Sequence, residues 1–259
     1  MTYSIVARDP ESGQFGVAVQ SHWFSVGSMV PWARPGVGAV ATQAIVRRDY
    51  GPRGLALMEE GASAADALAT LTAEDPGRVD RQVAMIDAAG GVAAMTGEAC
   101  VAFAGDVQGD GVSCQGNILT GDGVWPAMLR AYTEASPQAP LCDRLFAALV
   151  AAQDAGGDLR GKQSAALLVV PGSGEPWETV VSLRVEDSED PLGELSRLMT
   201  LARAYGADTE AEAVTIAPDS VELAFWAAVR AGKDVSEFPP EWQELRRRLG
   251  DRLPGSGAD

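Results

Sequence analysis

Histidine occurs once in this 259-residue sequence, as His22, and cysteine three times, as Cys100, Cys114 and Cys142. One histidine excludes zinc sites built on several imidazoles, and no C-x-x-C pair offers thiolates in their place. His22 is also the only base available to a Ser-His-Asp triad, and no G-x-S-x-G elbow occurs to present the serine. An odd cysteine count without paired spacing fits reduced thiols, so the expected compartment is the cytoplasm. Basic residues are scarce, with 20 Lys and Arg against 36 Asp and Glu, a net charge of −16. That surplus repels phosphate backbones and argues against nucleic acid as a partner. No apolar run approaches a bilayer-spanning length. Arg8, Asp9 and Glu11 stand where a signal peptide would begin its apolar core, so no membrane partner is expected.

What remains is ordinary globular material, 46% hydrophobic and 22% charged, enough to bury a sizeable core. The most informative residue is Thr2, directly behind Met1 and at the head of a strand-like run, Thr2-Tyr3-Ser4-Ile5-Val6-Ala7-Arg8. Threonine is small enough for the initiator methionine to be trimmed before it. Trimming would leave a hydroxyl beside its own α-amine, one way to activate a weak nucleophile without histidine. A small residue in second position is also commonplace.

Turn chemistry and periodicity divide the chain into blocks. Asp9-Pro10-Glu11-Ser12-Gly13 is a turn between the first run and Phe15-Gly16-Val17-Ala18-Val19-Gln20-Ser21, predicting a β-hairpin. A second hairpin is predicted from Gln82 to Thr96 about Gly90-Gly91. Helices are predicted from Pro52 to Glu60 and from Ser63, where Ser63-Ala64-Ala65-Asp66 resembles a capping box, until Pro76. Two more are predicted from Gly123 to Glu134 and from Leu141, with Leu141, Leu145 and Leu149 on one stripe. Strands follow over 164–170 and 179–183, and Asp190-Pro191 opens another helix. Blocks of strands alternating with pairs of helices predict antiparallel sheets with helices outside, an α+β fold. We place one domain over 1–206 and a helical extension with a frayed tail over 207–259, including helices at 219–231 and 240–249.

Several motifs compete for function. Gly36-Val37-Gly38-Ala39-Val40-Ala41 matches G-x-G-x-x-A, but a strand-like run follows it instead of a helix. A glycine-rich strand where backbones approach closely fits better, and no cofactor is expected. Gly105-Asp106-Val107-Gln108-Gly109-Asp110-Gly111 lacks the full ligand set of a calcium loop and reads as a solvated loop; no metal is expected. Ser21 and His22 end the first hairpin, where polar residues can line a pocket, although a lone histidine beside Trp23 and Phe24 is more often a packed structural residue. Gln115-Gly116-Asn117 falls at an apparent strand-to-helix junction, where side-chain amides can face a developing oxyanion. Lys162 and Gln163 join a helix to a strand at the edge of a cleft or in a plain charged loop.

Beyond the first hairpin, the runs 26–33, 36–44, Tyr50-Gly51-Pro52-Arg53-Gly54, Gln115-Gly116-Asn117 and Arg160-Gly161-Lys162-Gln163-Ser164-Ala165 occur in a familiar order. Together they resemble the bacterial family called domain of unknown function 1028, placed in the N-terminal-nucleophile hydrolase superfamily. The resemblance implies a four-layer α-β-β-α sandwich and makes the chain-opening residue, Thr2, the nucleophile. The expected activity is hydrolysis of an amide bond in a small molecule. Thr2, Gln115, Asn117 and Lys162 are the expected catalytic set, and Ser21, His22 and Gln43 the expected substrate contacts. A non-catalytic binding module on the same fold is the alternative, and a His22 base serving Ser21 or Ser25 is a third. The expected partner is a small-molecule substrate, and self-association into a homo-oligomer is left open.

Overall fold

The computed structural model describes residues 2–207 and, beyond them, 210–217, 219–220, 222–223, 225–226, 240 and 243. Ten strands and six helices alternate in blocks among these residues. The first hairpin is β1 (Thr2–Arg8) and β2 (Phe15–Ser21). Its turn is built by Asp9, whose carboxylate accepts from the Glu11 N–H at 3.1 Å and the Ser12 hydroxyl at 2.8 Å. β3 (Pro31–Arg34) and β4 (Gly38–Ala44) pair next, then come α1 (Tyr50–Glu59) and α2 (Ala64–Ala73). The Ser63 hydroxyl accepts from the Asp66 N–H at 3.1 Å and so caps α2. β5 (Arg81–Asp87) and β6 (Val92–Thr96) form the second hairpin. β7 (Gly105–Gly109), β8 (Val112–Asn117), α3 (Val124–Glu134), α4 (Leu141–Asp154), β9 (Ser164–Val170) and β10 (Val181–Val185) follow. α5 covers Pro191–Tyr205 and α6 covers Glu210–Ile216.

The strands form two antiparallel sheets. One has six strands in the order β10-β9-β2-β1-β8-β7, and the other four in the order β3-β4-β5-β6. They face each other across a core of Val6, Phe15, Val17, Val19, Ala41, Ala84, Ile86 and Val170. α3 and α4 cover the outer face of the six-stranded sheet. α1 and α2 cover the outer face of the other, over Tyr50, Leu55, Leu68, Leu71, Val83 and Met85. The result is the α-β-β-α sandwich that the family resemblance implies, in agreement with the antiparallel sheets and outer helices read from the strand and helix blocks.

Three local expectations need correction. The aspartate-containing stretch from Gly105 is not a solvated loop: it is β7, the edge strand beside β8. Its glycines and aspartates disfavour strand in isolation, and pairing with β8 overrides them. Gln115, Gly116 and Asn117 are not a junction but the last three residues of β8, buried on both sides. The second strand of the last hairpin begins at Val181, two residues later than the pattern indicates. The G-x-G segment turns out of β3 into antiparallel β4, and a Cβ on Gly38 would run into the carbonyl of Ile86 on β5.

The chain divides into two compact units, Met1–Leu195 and Ser196–Asp259, against the 206/207 boundary read from composition. The second contains α6, and the helices expected at 219–231 and 240–249 lie largely outside the described residues.

Candidate active site

Strand alternation sets which residues meet between the sheets. On β1, Tyr3 points to the helices, where its hydroxyl donates to Gln153 Oε1 at 3.2 Å, while Ser4 points inward to Gln43 of the other sheet. Thr2 shares the inward face with Ser4 and Val6. Burial, helped by the charges of Asp158 and Asp154, pushes the Tyr3 phenol far up, so it stays protonated.

The inward faces carry a buried polar seam at the Thr2 end of the sandwich. Ser113 donates to Gln115 Oε1 at 2.8 Å, and Gln115 Nε2 donates to Ser4 Oγ at 2.7 Å. Ser4 donates to Gln43 Oε1 at 2.7 Å, and Gln43 Nε2 donates to Gln82 Oε1 at 2.8 Å. Asn117 Nδ2 reaches the same Gln82 oxygen at 2.9 Å. Gln82 Nε2 has three acceptors in reach, Thr96 Oγ1 at 2.9 Å, Gly105 O at 3.0 Å and Gly116 O at 2.8 Å. Thr96 then donates to Asp106 Oδ2 at 2.7 Å. Gln82 joins the two sheets, since β5 carries it and β8 supplies Gly116 and Asn117.

Thr2 stands at the edge of this seam. It is 6% exposed, and its hydroxyl lies 3.1 Å from that of Ser21 on β2. On its other side it faces Asn117 directly across β1–β8, at the ~5 Å spacing of paired strands. Asn117 directs Nδ2 to Gln82, and its Oδ1 is buried without a partner among the described residues. A cavity of about 280 Å³ opens at this point, lined by Thr2, Ser21 and Gln43 and by the apolar Trp23, Val26, Met29, Val30, Ile45 and Val46. Among the described residues, no Asp, Glu, Lys, Arg or His lines it.

Among the described residues, three non-glycine residues have positive φ: Ser25 at 57°, Ala44 at 68° and Ile118 at 51°. Each follows closely on a residue at the cavity or opposite Thr2: Ser21, Gln43 and Asn117 respectively. Left-handed backbone costs an L-residue about 1 kcal/mol and gathers at functional sites.

The expected site residues therefore separate. Thr2, Ser21 and Gln43 meet at the cavity, and Asn117 stands opposite Thr2. Gln115 lies one step deeper, fully buried, and reaches Gln43 through Ser4. Lys162 does not line the cavity: its Nζ pairs with Asp190 Oδ1 at 2.7 Å, and that bond first of all holds the Asp190 carboxyl below its usual range. His22 also stands outside the lining. Its backbone N–H donates to Asp158 Oδ2 at 2.9 Å, and its buried Nδ1 has no partner among the described residues. Ser25 accepts from Arg184 at 3.1 Å. Sequence reasoning missed Ser4, Gln82 and Ser113. The signal was there in the polar alternation of Ser113, Gln115 and Asn117, which is unusual for a strand buried on both faces. Among the described residues, no cluster of three or more His, Cys, Asp or Glu could hold a metal ion, and no helix is long and apolar enough to cross a membrane.

An α-β-β-α sandwich with a cavity at the first residue of a central strand is the class these features define. A family model described as a family of unknown function, DUF1028, matches residues 2–195, and the chain belongs to that family. It is similar to protein SPO2555 from Silicibacter pomeroyi, whose crystal structure carries the same family assignment. The two are 33% identical with a TM-score of 0.71, over 78% of this chain and 89% of that one. Anbu, an ancestral β-subunit from Yersinia bercovieri, matches at 12% identity and a TM-score of 0.37, over 79% of this chain and 93% of that one. No curated protein matches this chain.

Proposed function

We propose that this protein is an amide hydrolase of the N-terminal-nucleophile type, acting on a small molecule with Thr2 as nucleophile after removal of Met1. The observation that carries the proposal is the placement of Thr2. Its side chain lies at a cavity, beside the Ser21 hydroxyl and opposite Asn117. With Met1 gone, the Thr2 α-amine is the base on the nucleophile's own residue, and among the described residues no titratable side chain lines the cavity to compete with it. An α-amine titrates near ~8, and burial favours its neutral, proton-accepting form.

In the first step Thr2 Oγ1 attacks the amide carbonyl carbon and its proton passes to the α-amine. The tetrahedral oxyanion collapses, the C–N bond breaks, and the ammonium returns the proton to the departing amine. This leaves an ester on Thr2. Water attacks that ester with the amine again as base, the C–O bond breaks, Thr2 regains its proton and the acid departs. Ser21 orients the nucleophile. Asn117 Oδ1, its amide nitrogen held by Gln82, is the acceptor for the α-ammonium. Gln43, steadied by Ser4 and Gln115, presents a side-chain amide to the substrate. Lys162 has no part in these steps, being tied to Asp190. The three cysteines form no disulfide, and Cys114 is fully buried, which suits a reducing cytoplasm.

Intact-mass spectrometry of active protein tests the first requirement: Met1 should be absent. Thr2→Ala should lower kcat on the order of 10⁴-fold with an unchanged melting temperature, while Thr2→Ser retains activity. Met1 retained in active protein would sink the proposal. The same cavity, with neither a free amine nor an ionisable side chain, would then be a binding site only.

A further inference from the structure

We infer that the cavity at Thr2 takes an uncharged, apolar acyl group of a few carbons and excludes carboxylate-bearing ones. This rests on Thr2 as the attacking residue and names the substrate class of that site.

Six of the lining residues, Trp23, Val26, Met29, Val30, Ile45 and Val46, present apolar side chains, and the polar ones are Thr2, Ser21 and Gln43. All three polar groups sit where the scissile amide must lie, so the rest of the space has nothing to solvate a charge. An unpaired carboxylate placed there would lose its water without a counter-ion, a cost of several kcal/mol. Three cations of the flanking segments are already engaged. Lys162 pairs with Asp190, Arg184 with Glu186 at 2.7 Å, and Arg47 with Asp49 at 2.7 Å and with Asp75. Recruiting any of them would strand a carboxylate.

The mouth carries the same message. Trp23 is 56% exposed and Ile45 is 65% exposed, yet both line the cavity. Large apolar side chains left facing water gain when a ligand covers them. The left-handed backbone of Ala44, φ 68°, turns the chain at the end of β4 immediately before Ile45 and Val46. Strain is thus retained where it delivers two apolar side chains to the cavity. About 280 Å³ is near the lower end of ligand-pocket volumes, ~300 Å³, which limits the group to a short chain or a small ring.

The experiment is calorimetric titration of full-length Thr2→Ala protein with acetamide, butyramide, hexanamide and adipamic acid, the monoamide of adipic acid, alongside hydrolysis of the same compounds by wild type. Affinity should rise about fourfold per added methylene until the space is filled. Adipamic acid should bind at least tenfold more weakly than hexanamide. Ile45→Asp, at an exposed position that folding tolerates, should weaken hexanamide about tenfold. Equal affinity for the carboxylate-bearing amide, or no gain with chain length, overturns the inference. If the affinities follow the expected order while wild type cleaves none of these amides, the apolar site stands and the nucleophile proposal falls. Wild type that cleaves all four amides at equal kcat/KM reverses that outcome.

Discussion

The hydroxyl oxygens of Thr2 and Ser21 lie 3.1 Å apart, brought together by the first hairpin across a sequence separation of 19 residues. Ser21 is fully buried, and its neighbour across β2–β9 is Ser164. Removing its hydroxyl leaves the hairpin intact but frees the Thr2 rotamer. Ser21→Ala should lower kcat about tenfold, with KM and melting temperature close to wild type. Steady-state kinetics on the preferred amide checks this, and an unchanged kcat removes Ser21 from the machinery.

Gln82 should be the costliest polar residue to lose. Gln82→Leu strands the amide nitrogens of Gln43 and Asn117 and takes a donor from Gly105 O and Gly116 O. Each buried unsatisfied group costs about 1–3 kcal/mol, so a loss of about 3 kcal/mol or more is expected in urea unfolding. A loss under about 1 kcal/mol would mean that the seam re-forms without it.

Asp75 gives the fold an acid limit. Burial alone would raise its carboxyl, but hydrogen bonds from Arg81, Gly77 N–H and Tyr50 outweigh burial and bring it down to about 2. A folded-state value below the ordinary ~3.9 contributes stability that is complete above about pH 4 and lost as pH falls through about 2. Asp75→Asn should therefore be destabilised at pH 7, and the gap to wild type should close between pH 4 and 2. Thermal melts across that range decide it. A gap that is constant with pH would mean that the charge of Asp75 contributes nothing.

Gly38 tests the G-x-G segment. Gly38→Ala should destabilise by about 2 kcal/mol, because the added carbon meets the Ile86 carbonyl. NAD should shift the melting temperature of neither protein. A shift in wild type that the variant loses would restore the dinucleotide reading.

Much of this was legible in the chain. The first hairpin, the Ser63 cap and the Leu141–Leu145–Leu149 stripe rest on local rules, and the structure has all three. The place of Thr2 at the head of β1 was legible through its position alone. β7 was not, because its pairing with β8 is a tertiary gain that its glycines do not advertise. The polar alternation of β8 was legible, but the partners its residues take in the seam were not. Ser4 meets Gln43 39 residues away and Gln115 111 away, and no local pattern predicts which buried amides will meet. Lys162 shows the opposite hazard: it stands two residues before Ser164, the partner of Ser21 across β2–β9, but Asp190, 28 residues on, takes its charge.

The interior of the sandwich is wet chemistry at one end and hydrocarbon at the other. Methyl groups slide past one another at little cost, whereas a hydrogen bond keeps its strength only within narrow limits of length and angle. Gln43 and Gln82 thus act as dowels that fix the two sheets in relation to each other at the Thr2 end. The end around Val6, Phe15, Ile86 and Val170 is free to accommodate changes of shape. Changes of shape in the hydrocarbon half can be absorbed there without disturbing the half that holds Thr2.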